Sequence, residues 1–184
     1  MRILAIDIGT GTQDIVLFDS SREPENCFKM VMPAPTQIFA ARVRQATAAG
    51  RPIVLRGKLM GGGPVSGAIE AHIKSGLPAF AEPQAARTMN DDLDRVRAAG
   101  VTVVAPDDPL PAGVVVLDLK DLDLDSIAAA LVAFGLAPEY DGLAVAALDH
   151  GNAPSDISDR EFRFEHIRRV AGQACASSSG NPEL

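Results

Sequence analysis

Arg2–Ile8 (RILAIDI), Gly9-Thr10-Gly11-Thr12 and Asp14–Phe18 (DIVLF) open the chain, and their reading decides the fold. Two aliphatic runs around a Gly-x-Gly segment read as two strands joined by a tight turn. Glycine lets such a turn bend sharply and leaves backbone N–H groups open to an approaching anion. Asp7 is carried to the end of the first strand, and Thr10 and Thr12 add hydroxyls beside it. A bare carboxylate there would repel phosphate unless Mg²⁺ or its waters lay between them. Two readings stand on these residues alone. One is a hairpin with glycines for its turn and an aspartate that caps it. The other is a phosphate cradle at Gly9, Thr10, Gly11, Thr12 and Gln13 with Asp7 on a metal.

Outward from the hairpin, the chain settles into alternating strands and helices. Cys27–Met32 (CFKMVM) alternates as a third strand, and Pro33-Ala34-Pro35-Thr36 ends it and caps a helix over Gln37–Ala49. Pro52–Leu55, Ala79–Ala81, Val101–Ala105, Val114–Asp118 and Leu143–Leu148 read as strands. Val65–Lys74, Gln84–Ala99 and Asp125–Phe134 read as helices between them. This order predicts an α/β fold with one mixed sheet, parallel apart from the N-terminal β-hairpin. After the last strand the character changes: Gly151–Ser158 is a loop, Asp159–Ala174 a charged helix and Ser177–Gly180 a frayed end. The expected division is a phosphate-binding domain over residues 1–150 and a C-terminal loop, helix and polar tail over 151–184.

Composition narrows the function classes. The 184 residues are 47% hydrophobic, so a sizeable core is available, and 17 basic against 24 acidic residues give a net charge of −7. That balance argues against nucleic acid and anionic membrane as partners. Asp7 interrupts the only apolar N-terminal run, which removes a signal-peptide core, so a cytoplasmic protein is expected. The two cysteines, Cys27 and Cys175, stand far apart. Neither an iron–sulfur cluster nor a zinc site is expected from them.

Other candidate sites lie on loops after strands. Met60–Pro64 (MGGGP) precedes a helix whose start would offer free amides, so Gly61, Gly62 and Gly63 read as a second anion-binding loop, with Arg56 and Lys58 adding charge. The alternative is a close-packed turn. Asp149-His150-Gly151 follows an apolar strand, where α/β proteins place ligands, so His150 reads as a base beside a carboxylate, as a metal ligand, or as a hydrogen-bonded turn residue. His72 reads as a structural histidine, and Asn90–Asp94 either as metal ligands or, the favoured reading, as helix-start residues complementing the dipole. Asp118–Asp125 (DLKDLDLD) lacks the glycine and terminal glutamate of a calcium loop. His166 and the Glu161–Arg169 stretch read as a solvated face or an interface.

Leu4–Asp19 (LAIDIGTGTQDIVLFD) resembles the first phosphate-binding hairpin of the actin-like ATPase, sugar kinase and Hsp70 superfamily. That resemblance implies a ribonuclease-H-like domain, ATP and Mg²⁺ as ligands, Asp7 organising a metal-bound water, and Gly9–Gln13 holding phosphates. More narrowly, Asp7–Asp14, Met30–Gln37, Met60–Pro64 with His72, Asn90–Asp94 and Asp149–Gly151 resemble a domain-of-unknown-function family in that superfamily. Its members are often labelled pyruvate formate-lyase activating enzymes. A radical S-adenosylmethionine enzyme needs three closely spaced cysteines, and this chain has two. Two departures from the superfamily stand out. Asp14 occupies a position that is basic in many sugar kinases, and the superfamily's cleft needs a second domain.

The expected function is thus a nucleotide- or phosphate-binding domain, one half of an ATP-dependent phosphotransferase or ATPase. Its other half would be a further domain, a second copy or a partner subunit, and a second substrate would approach Gly61–Gly63 and Asp149-His150. The alternative is a non-catalytic module binding a small anionic metabolite or a protein. A third reading is a free-standing enzyme with His150 as base.

Overall fold

The computed structural model describes residues 1–60, 62–147, 153–154 and 157–178. The opening apolar run forms β1 (Arg2–Ile8), returns as β2 (Thr12–Asp19), and continues into β3 (Phe28–Pro33) after a short 3-10 turn at Pro24–Asn26. Both pairings are antiparallel, with Ile8 opposite Gln13 and Ile15 opposite Met30. Period-two alternation sends Leu4, Ile6, Ile8, Ile15 and Leu17 to one buried face. The helix α5 (Leu124–Ala133) lays Ile127 and Leu131 against that face. β8 (Gly142–Ala147) lies parallel to β1, with Ile8 opposite Ala147, so the first sheet has the order β3-β2-β1-β8.

A second sheet holds β4 (Ile53–Gly57), β5 (Ala79–Ala81), β6 (Val101–Val103) and β7 (Val115–Leu119), all parallel and ordered β6-β5-β4-β7. Ile53, Val54 and Leu55 are wholly buried, as a parallel strand covered on both faces requires. Two helices, α1 (Pro35–Ala48) and α2 (Gly63–Lys74), contribute Val43, Val65 and Ile69 to the core of this sheet.

An α/β fold with an N-terminal hairpin is therefore present, but the single mixed sheet is corrected to two. The reason lies in the edges. β4 pairs with β5 on one side and β7 on the other, so it has no edge left for the hairpin, and β1 closes its own free edge with β8.

Several helix boundaries also change. α2 begins at Gly63 rather than Val65, with Pro64 in its first turn. α1 begins at Pro35 rather than Gln37, with Ala34 at the cap and proline in the first turn, so Thr36 is a helical residue and not the cap. The helix expected over Gln84–Ala99 is two short ones, α3 (Pro83–Ala86) and α4 (Leu93–Ala98). Asn90 Oδ1 accepts from the Asp92 amide and Asp92 Oδ1 from the Asp94 amide, both at 2.9 Å, and these local bonds break the helix and cap its successor. α5 begins one residue early because Asp123 Oδ1 accepts from the Ser126 amide at 3.2 Å.

Contacts divide the chain into Met1–Leu148 and Asp149–Leu184. In the second unit, α6 (Asp159–Ser178) extends through Ser177 and Ser178, which the sequence placed in a frayed end; Ser179 and Gly180 lie outside the described residues. Among the described residues no helix is long and apolar enough to cross a membrane.

Candidate functional site

At the turn end of the first sheet, register places Asp7 opposite Asp14. Directly opposed residues of antiparallel strands share a face, with Cβ atoms about 5 Å apart. Both aspartates are exposed, on the face away from the Ile6 and Ile15 core. Thr12 Oγ1 donates to Asp14 Oδ2 at 3.3 Å, which holds the second carboxylate beside the turn. The Gly9 amide donates to the Thr12 carbonyl at 3.0 Å and closes the turn, and a methyl group on Gly9 would sit 3.2 Å from that same oxygen. Thr10 and Gly11 are exposed at its tip.

Gln13 does not join them by its side chain. It is 8% exposed, its Nε2 donates to the Pro33 carbonyl at 3.0 Å, and it faces the opposite side of the sheet. Alternation requires this, because Thr12 and Asp14 take the outer face.

The second glycine segment lies at the C-terminal end of β4. Gly61 is outside the described residues. Gly62 packs so closely on the chain after α3 that a methyl group there would overlap the Thr88 carbonyl oxygen, while Gly63 has open space around its Cα. The Thr88 hydroxyl in turn donates to the Leu59 carbonyl at 2.9 Å. Several donors that a phosphate would use are committed. The Lys58 amide bonds the Leu119 carbonyl at 3.0 Å, the Met60 amide bonds Asp121 Oδ1 at 2.9 Å, and Pro64 has no N–H. Arg56 pairs with Glu82 at 3.3 Å, so its charge is partly spent. Close packing thus accounts for Gly62, and the Asp121 carboxylate stands where the sequence suggested positive charge.

One short stretch joins the two glycine segments. The Ala34 amide donates to the Gly11 carbonyl at 3.0 Å, and two residues later the buried Thr36 hydroxyl accepts from the Val65 amide at 3.4 Å. The start of α1 therefore ties the hairpin turn to the first turn of α2. Sequence reading missed both Thr36 and Asp121. Thr36 looked like a helix cap, and nothing in the Asp118–Asp125 run signals that Asp121 holds the amide of Met60, 61 residues away.

The remaining candidates separate from this site. His72 is wholly buried, with Nδ1 2.8 Å from the Thr47 hydroxyl and Nε2 3.2 Å from the Pro78 carbonyl. Since Pro78 O can only accept, Nε2 carries the proton and the ring is a core bridge. His166 Nδ1 lies 3.0 Å from Arg169 on the exposed surface of α6. Asp149, His150 and Gly151 lie outside the described residues. Among the described residues no group of three or more His, Cys, Asp or Glu side chains is placed to hold a metal. The Asp7–Asp14 pair still suits Mg²⁺, which is bound through one or two carboxylates with waters and substrate phosphates completing its shell.

Comparison with known proteins adds one match. The family model described as "Putative pyruvate format-lyase activating enzyme (DUF1786)" matches residues 60–179. That range starts at the glycine loop and leaves the hairpin outside it. No curated protein matches the chain.

Proposed function

This chain belongs to the DUF1786 family, and from that premise we propose that it is a nucleotide- or phosphate-binding domain of the actin-like ATPase class, one half of an ATP-dependent phosphotransferase or ATPase. The observation that carries the reading is the opposition of Asp7 and Asp14 beside the Gly9–Thr12 turn. Like charges directly across a strand pair are unfavourable, and a divalent cation between them removes the penalty. Mg²⁺ held there would offer a phosphate its positive charge, and the exposed Thr10 and Gly11 would offer it backbone donors. In an acidic protein that combination is what an anion needs. The mixed first sheet with its hairpin supports the ribonuclease-H-like assignment, with the second, parallel sheet as an addition to it. The other half of the cleft would come from a further domain, a second copy or a partner subunit.

The chain's cysteines do not fit the activation chemistry in the family's description. It calls for a cysteine-held iron–sulfur cluster, and this chain offers Cys27, buried with its Sγ 3.4 Å from the Asp19 amide, and Cys175. That donor set does not fit a cluster.

A second reading, a non-catalytic module for a small anionic metabolite, is favoured by the committed donors around Met60–Pro64, which leave that loop poorly supplied for a second phosphate contact. Calorimetry separates the two. On the first reading ATP binds only with Mg²⁺, and Asp7→Ala abolishes binding while the chain stays folded. Metal-independent anion binding that survives Asp7→Ala supports the second.

A further inference from the structure

On the side of the first sheet away from Asp7 and Asp14, a pocket of about 110 Å³ opens between β2, β3, α1 and α5. Its floor is Ile15, Phe39 and Ile127, all buried core residues, and its β3 wall is Met30 and Met32. The floor is therefore rigid, while the two thioether chains can adapt to a guest's shape.

Charge in this pocket runs against the sign of the protein. The chain carries −7, yet the lining holds Arg42 and Lys120 with Asp123 as its one carboxylate. Lys120 Nζ lies 2.9 Å from Asp123 Oδ2, and those two offset each other. Arg42 is left over. Its guanidinium sits 5.1 Å from the centre of the Phe39 ring and pairs with no carboxylate among the described residues. Arg42 is exposed, and its contact with the buried ring places the cation at the pocket's rim.

We infer that this pocket binds a small amphipathic monoanion, with a compact aliphatic or aryl body on the Ile15–Ile127 floor and a carboxylate on Arg42. The size agrees. A dry cavity of about 150 Å³ accommodates benzene, so at about 110 Å³ the pocket takes a body smaller than benzene as it stands and an aryl one only as the two methionines shift aside. A guanidinium fork recognises a carboxylate with two parallel hydrogen bonds, which gives the head group its orientation. The inference is independent of the phosphate site, because Gln13 and Ile15 line the pocket from the face opposite Asp14.

Methyl NMR of the full chain labelled with ¹³C-methyl methionine tests it. The sequence has five methionines, and only Met30 and Met32 line the pocket. The probes are 4-methylvalerate and benzoate, each compared with its neutral amide. The expected result is saturable shifts of Met30 and Met32 with the acids, and binding of the amides weaker by about tenfold, the scale of a charge-assisted hydrogen bond. Arg42→Gln should reduce the acids to the affinity of the amides, with Met60 and Met89 unshifted as the sign that the fold is retained. Three outcomes overturn the assignment: no shift at Met30 and Met32, equal binding of acid and amide by the parent chain, or acid binding unchanged in Arg42→Gln.

Discussion

Thr36→Val tests the joint between the two glycine segments. Thr36 is 2% exposed, and Val65, whose amide its hydroxyl accepts, is wholly buried, so no water can replace the lost acceptor. Valine keeps the volume and the branching, and its helix propensity matches that of threonine, so neither packing nor propensity decides the outcome. What remains is an unsatisfied buried N–H, which costs about 1–3 kcal/mol. The bond is 3.4 Å long, beyond the usual range, which places the cost at the low end, about 1 kcal/mol. For a chain of this length that lowers the melting midpoint by about 2–4 °C. Thermal and urea unfolding of the two proteins measure it. If Thr36 served only to fill space, the more hydrophobic valine would leave stability unchanged or raise it. A midpoint at or above that of the parent protein refutes the anchoring role.

Two other substitutions probe the frame around the sites. Asp123→Ala removes the cap on α5 and should cost about 1 kcal/mol in urea unfolding near neutral pH. The Lys120 hydrogen bond, followed by those from Ser126 and against the opposing effect of burial, holds the Asp123 carboxyl below its ordinary 3.8. A lowered folded-state value means that this contribution is present above 3.8 and is lost as the pH falls through the folded-state value. The parent and Asp123→Ala should therefore converge in acid, and a difference that persists there contradicts the assignment. Gly57 has φ +77° and its added methyl would overlap the Leu119 carbonyl, whereas Gly113, with the same φ, faces open space. Gly57→Ala should therefore cost clearly more than Gly113→Ala, which carries only the strain of about 1 kcal/mol for a left-handed non-glycine residue. Equal losses would remove the steric argument.

Much of the first sheet could be read from two aliphatic runs bracketing a glycine turn. Which of their residues face inward could not be read as easily, because Ile3, Val16 and Phe18 are as apolar as the buried Leu4, Ile6, Ile8, Ile15 and Leu17 beside them. The division into two sheets could not be read that way. Which edge β1 offers to β8 is fixed by pairing across more than 130 residues, and no local pattern encodes it. The split of Gln84–Ala99 was hidden because apolar spacing continues through Asn90–Asp92, where side-chain acceptors compete with the helix for backbone amides. At the candidate site, Asp7 and the Gly9–Thr12 turn stood out because strand ends and glycines carry local signals. Asp14 was visible only as an oddity, until register set it opposite Asp7. Gln13 misled for the converse reason: adjacency in sequence places consecutive side chains on opposite faces of a strand.

On the proposed function, the hairpin end holds a metal-bound phosphate. Paramagnetic broadening of backbone amide signals by Mn²⁺ in the presence of ATP tests it at the residues concerned. Asp7 and Asp14, whose carboxylates would hold the ion, should broaden first, with Thr10, Gly11 and Thr12 close behind, and Asp7→Asn should remove the effect. Broadening centred elsewhere in the chain, or unchanged in Asp7→Asn, would contradict it.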